Sequence, residues 1–192
     1  MEFLKKLGIE IKNKELLLTA LTHTSYSNEH NTDNYERLEY LGDAVLEAVT
    51  SEYFYLNTNY SEGEMTKLRA NYVCEKALAT YAKRLGIDKY IRLGHGQMHN
   101  LNDTIIADVF EAVTACIYLD QGYEVAKKYL DDIIIPYINK NSDFNTDYKT
   151  KLQEAVQTSR KSLEYVLVNE YGEAHDKTFE MVVKIDNIIY GK

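Results

Sequence analysis

Cysteine is nearly missing from these 192 residues, which carry only Cys74 and Cys116. Neither stands in a CxxC motif or at metal-binding spacing from a histidine, and both sit inside helical apolar patterns. A disulfide scaffold and a thiolate zinc site are excluded, and both residues are expected to be reduced, buried small hydrophobes. Long hydrophobic runs are lacking too. Stretches such as Ile133-Ile134-Ile135 and Val166-Leu167-Val168 span only a few residues, far short of the roughly 20 that a membrane helix needs. The start, Met1-Glu-Phe-Leu-Lys-Lys-Leu-Gly8, has neither the apolar core nor the cleavage site of a secretory signal. A cytoplasmic protein with no membrane partner is the expectation. Positive charge is also short: 15 Lys and Arg face 21 Asp and Glu in residues 1–142, and 7 face 9 in residues 143–192, for a net −8. Neither part is a basic nucleic-acid clamp by composition, so a polyanionic partner would need metal ions or local cationic clusters.

Proline occurs once and glycine nine times. With apolar positions recurring at three and four, this scarcity predicts helices over at least the first 140 or so residues. Starts are expected near Lys14, near Asn34, at Ser61, near Asp103 and at Gly122. Ser61 with Glu64 three residues on forms a capping box. Pro136 should break or kink the last of these helices. The polar stretch from Asn139 to Asp147 reads as a linker. Beyond it come a helix over Tyr148–Gln157 and two strand-like runs, Leu163–Asn169 and Thr178–Ile185, with a third barely begun at Ile188-Ile189-Tyr190. The expected fold class is therefore mainly α, with an all-helical domain at residues 1–142. An α-β-β module follows at residues 148–192, its third strand incomplete and its apolar surface too small to cover both sheet and helix.

The chemistry lies in the acids. On a helix turning about 100° per residue, Glu36, Glu39 and Asp43 fall within roughly 60° of arc, opposite the apolar stripe of Leu38, Leu41 and Val45. That alone describes any amphipathic surface helix. The segment Asp103–Leu119 changes the balance, because it is almost wholly apolar around Asp108 and Glu111, which share a face at a spacing of three. Residues 93–126 contain no Lys or Arg, and carboxylates are rarely buried unless paired or bound to metal. The economical arrangement sets Asp108 and Glu111 against Glu39 and Asp43 around a hard divalent cation, with Mg²⁺ or Mn²⁺ favoured by the all-oxygen ligand set. Such a cage suits phosphodiester hydrolysis. A redox di-metal bundle, the alternative, ordinarily uses Glu-x-x-His pairs, and here the i+3 partners are Glu39 and Glu111.

The segment Glu36-Arg-Leu-Glu-Tyr-Leu-Gly-Asp-Ala-Val-Leu46 closely resembles the signature of ribonuclease III, with Tyr40 where phenylalanine is usual. Leu21-Thr-His-Thr-Ser-Tyr26, Ser61-Glu-Gly-Glu-Met-Thr-Lys-Leu-Arg-Ala70, and Ala107-Asp-Val-Phe-Glu-Ala112 with Tyr118-Leu-Asp120 resemble further blocks of that nuclease domain, in order. Residues 148–192 are similar to the first two-thirds of a double-stranded RNA-binding domain, through Lys151-Leu-Gln-Glu154 and Gly172-Glu-Ala-His-Asp-Lys-Thr-Phe179. The resemblance implies a homodimeric, Mg²⁺-dependent endonuclease, with Mn²⁺ as substitute. It would cut both strands of double-stranded RNA to 5′-phosphate and 3′-hydroxyl ends, as in the processing of ribosomal RNA precursors and other structured transcripts. It implies metal ligation by Glu39, Asp43, Asp108 and Glu111, with Asp43 and Glu111 catalytic. It further implies substrate contacts at Glu36, Gln153 and His175, and a dimer-interface role for Tyr40. An RNA-binding protein of the same fold that does not cut is the rival reading, and the four intact acids weigh against it. Arg69, Lys83, Arg84, Lys89 and Arg92 are candidates for a phosphate-binding strip.

Overall fold

The computed structural model describes residues 1–144, 148–172 and 177–191, with nothing described of the side chains at 148–151 and 154. It divides into two compact units, Met1–Asn145 and Thr146–Lys192.

In the first unit the helices are α1 (Glu2–Lys6), α2 (Lys14–Ala20), α3 (Thr24–His30), α4 (Glu36–Asn57), α5 (Glu62–Val73), α6 (Glu75–Leu85), α7 (Asp103–Gln121) and α8 (Tyr123–Asn139), with a 3-10 turn at Ile87–Tyr90. Their starts follow local chemistry. The Asn13 side chain accepts from the Leu16 amide and Asn102 from the Ile105 amide, and the expected capping box forms between Ser61 and Glu64. α7 is the central rod. Ile105 to Ala107, Val109, Phe110 and Ala112 to Ile117 are all buried, which is why it reads as apolar almost all round. α4, α6, α8 and α2 pack around it. Asp120, at its far end, accepts from the amides of Lys12 and Asn13 at 2.9 and 2.8 Å and so ties down the start of α2.

Two expectations are corrected. α8 is not broken at Pro136 but runs on for a last turn to Asn139. The turn is held from outside, where Tyr137 packs on Tyr81 and Phe144 with ring centroids 4.9 and 5.5 Å apart, so tertiary contact makes up for the lost backbone bond. The stretch read as a linker from Asn139 begins inside α8 and carries Phe144 into the core. Asn71 fastens it there, donating from Nδ2 to the Ser142 carbonyl and accepting from the Phe144 amide, both at 2.9 Å. Cys116 is buried and Cys74 half-buried, and both are free.

The second unit holds α9 (Tyr148–Thr158) and an antiparallel sheet ordered β1 (Leu163–Tyr171), β2 (Thr178–Ile185), β3 (Ile188–Gly191). Among the described residues, Val156 of α9 and Val182 of β2 are its buried apolar residues. The β2–β3 turn is the two-residue pair Asp186-Asn187, both at positive φ of 48° and 67°, which Asp and Asn tolerate better than most residues. The third strand is thus four residues long and paired. No helix among the described residues is long and apolar enough to cross a membrane.

Candidate active site

Tyr35 caps the start of α4; its ring is buried and its amide donates to the Thr22 carbonyl at 3.0 Å. The next residue, Glu36, is exposed; its amide donates to Asn34 Oδ1 at 3.1 Å, and its Oε1 accepts from Thr24 Oγ1 at 2.7 Å. Following the helix, Glu39 is half-buried, Asp43 exposed and Glu47 half-buried. Asp108 and Glu111, half-buried on α7, lie against this acidic face.

Gly42 explains how the two helices come so close. A Cβ at this position would stand 1.8 Å from the Glu111 carbonyl oxygen and 2.4 Å from its carbon. The main chains of α4 and α7 touch there, and glycine alone leaves the space. A glycine inside a helix costs about 1 kcal/mol relative to alanine; here the close approach sets Asp43 and Glu39 beside Glu111.

The electrostatics follow from that approach. Burial, then Asp43, Glu39, Asp108 and Glu47 in turn, push the Glu111 carboxyl from an ordinary 4.5 up to about 8. Glu39 is raised by burial and then by Asp108, Glu36 and Asp43. Asp108 is raised by burial, against which the Tyr35 hydroxyl, donating to its Oδ2 at 3.0 Å, acts to lower it. Burial first, then Asp108, holds the Tyr35 phenol far above its usual range, so it remains a donor. Every charged group acting on Glu111 and Glu39 is another acid. Asp108 alone has a partly compensating neighbour, His23; the cluster is otherwise one of acids acting on acids, and its donor set is all oxygen, which fits a hard divalent cation. Among the described residues no three His, Cys, Asp or Glu side chains already stand at metal-holding geometry.

Tyr40 is 83% exposed, so it is not a core aromatic. A cleft of about 720 Å³ opens between α2 and the start of α4, lined in part by Leu16, Thr19, Arg37, Leu38, Leu41 and Leu119. Gln153 lies exposed on α9 in the second unit, and His175 falls outside the described residues. The candidate cation strip is largely committed within the protein. Arg69 donates to Ser51 Oγ at 3.1 Å, Lys83 pairs with Asp103, and Arg84 lies over the Tyr137 ring at 5.4 Å. Arg92 sits 4.1 Å over the Tyr26 ring and donates to Thr22 Oγ1. His23 caps α3 by accepting from the Ser25 amide at 3.1 Å. Sequence reasoning passed over Tyr35, Gly42 and Glu47; only Glu47, one turn beyond Asp43, carried a readable signal.

Residues 13–138 match the family described as ribonuclease-III-like, and residues 148–192 match the double-stranded RNA binding motif. Ribonuclease 3 of Streptococcus thermophilus is 45% identical over 188 residues, which is 93% of this chain and 82% of that protein. Ribonuclease 3 of Onion yellows phytoplasma is 42% identical over 189 residues, 96% of this chain and 79% of that protein. Among solved structures, the nuclease domain of ribonuclease III from Campylobacter jejuni, described for flexibility in a region involved in dimer formation, aligns with TM-score 0.64. It is 37% identical, over 73% of this chain and 96% of that one. Dicer from Pichia stipitis aligns with TM-score 0.53 at 25% identity, over 94% of this chain and 84% of that one.

Proposed function

The chain belongs to the ribonuclease III family, and from that premise we propose a divalent-metal-dependent endonuclease that acts as a homodimer and cleaves both strands of an RNA duplex. The activity class, hydrolysis of double-stranded RNA, follows from the family match and the RNA-binding motif together. The observation that carries the finer reading is the cluster of Glu39, Asp43, Asp108 and Glu111 at the Gly42 contact, in which the charged groups acting on Glu111 and Glu39 are all acids.

These four carboxylates hold Mg²⁺, or Mn²⁺ in its place, and Asp43 and Glu111 are the catalytic pair among them. When bound, the ion supplies Lewis acidity for phosphodiester hydrolysis. Glu111, pushed up by burial and by its acidic neighbours, is a carboxyl whose charge a bound cation would relieve. Glu36, held by Thr24 at the rim, contacts the substrate beside the scissile bond. The products carry 5′-phosphate and 3′-hydroxyl ends with short 3′ overhangs, and ribosomal RNA precursors and other structured transcripts are the substrates. Gln153 and His175 contact RNA from the second unit.

The dimer follows from stoichiometry. One acidic site addresses one strand, whereas two related by a two-fold axis address both. The Tyr40 ring, left in solvent at the start of α4, is suited to insert into the partner subunit, where burying an aromatic anchor contributes strongly to association. The test is incubation with a long RNA duplex in Mg²⁺ and in EDTA, with product ends read by phosphatase sensitivity and ligation. Staggered fragments with 5′-phosphates are expected in Mg²⁺ alone. An intact duplex in Mg²⁺, or equal cutting in EDTA, would refute the reading.

A further inference from the structure

Tyr35 ties together the two helices that carry the acids. Its ring is buried and packs on His23 with centroids 5.7 Å apart. Its amide donates to the Thr22 carbonyl at 3.0 Å, and its carbonyl accepts from the Leu38 and Glu39 amides at 2.8 and 2.9 Å. With the main chain held on both sides and the ring enclosed, the hydroxyl has little freedom left. It donates to Asp108 Oδ2 at 3.0 Å, across 73 residues of sequence, and Oδ1 accepts no hydrogen bond among the described residues.

A carboxylate on an otherwise apolar helix, beside other acids, is repelled toward water, and a side chain free to change rotamer would spend much of its time turned away from the cluster. We propose that Tyr35 is a positioning residue of the acidic centre, its buried hydroxyl holding Asp108 Oδ2 so that Oδ1 stays presented to a divalent cation. The inference rests on reading the four carboxylates as a cation site, and it goes beyond that reading by naming what orients one of them. Hydrogen-bond partners behind metal ligands commonly contribute 10- to 100-fold in metal affinity or activity, by fixing the ligand before the ion arrives.

Tyr35→Phe keeps the ring and removes the hydroxyl. Mn²⁺ affinity is measured by electron paramagnetic resonance of the free ion, alongside cleavage kinetics and melting in EDTA. Expected are a loss of about tenfold in both Mn²⁺ affinity and kcat, an unchanged KM for duplex RNA, and a melting temperature in EDTA close to that of the wild type. In an Asp108→Ala background the same change should have no further effect on Mn²⁺ affinity, because the group it orients has gone. Unchanged affinity in Tyr35→Phe, an equal added loss in the Asp108→Ala background, or a chain that no longer folds would each overturn the positioning role while leaving the cation site standing. A wild-type chain that binds no Mn²⁺ would overturn both.

Discussion

Glu111→Gln removes a charge and almost no volume at the point where α4 and α7 touch. The wild-type carboxyl is pushed from an ordinary 4.5 up to about 8, chiefly by burial and then by Asp43, Glu39, Asp108 and Glu47. Between those two values the unfolded chain has lost the proton and the folded chain retains it, so folding stability falls as pH rises from about 4.5 and levels off above about 8. The full shift is worth at most about 5 kcal/mol; screening through the open side of the cluster reduces this to about 2 kcal/mol. Glutamine has nothing to ionise. In EDTA the variant should melt with the wild type near pH 4.5 and roughly 4–8 °C above it at pH 8.5. Adding Mn²⁺ should raise the wild-type melting temperature and largely close the gap, while duplex cleavage by the variant is lost. Calorimetry across pH, with and without the ion, measures all three. A variant that melts below the wild type at pH 8.5 in EDTA, or by an offset that ignores pH, would refute the electrostatic account. Near-normal cleavage would refute the ligand assignment.

Gly42→Ala should cost about 1–3 kcal/mol in urea unfolding, since the new methyl meets main chain rather than a movable side chain. It should abolish cleavage even at temperatures where the variant is fully folded, and full activity would show that the contact does not set the site. Tyr40→Ala should weaken self-association by about 2–4 kcal/mol, read by sedimentation equilibrium. An undiminished dimer would remove the ring from the interface. Phe144→Ala should lower stability by about 3 kcal/mol in the same urea assay; a silent substitution would mean that the segment after α8 is only loosely held.

The acids were legible because each announced itself within one helix. Glu36, Glu39 and Asp43 share an arc opposite an apolar stripe, and Asp108 and Glu111 break an apolar run that offers them no Lys or Arg. The same periodicity and the Ser61 capping box gave the main helices. α1, α3 and α6 went unread, the first two being only five and seven residues long and the third following α5 with Cys74 alone between them. What failed to show was whatever depends on a distant neighbour. Gly42 looks like a weak spot in a helix until Glu111 is placed against it, and Tyr35 looks like a core aromatic until its hydroxyl finds Asp108. Pro136 and Phe144 misled for the same reason, since local rules see a breaker and a polar linker while the fold uses Tyr81 and Asn71 to hold both in place.

Where α4 meets α7, the separation of the helices is set by main-chain atoms in contact. Elsewhere in helical proteins that separation depends on the side chains between the axes, typically 8–10 Å, and so drifts as the core changes by a methyl group here or there. Contact between two backbones does not drift, because its radii are the same for every sequence. At this point the spacing of Asp43 from Glu111 is set by main chain and not by the volume of the neighbouring Val45, Leu46, Val113 and Ile117. The acidic centre thus takes one of its dimensions from the backbone itself, where a single glycine is the whole requirement.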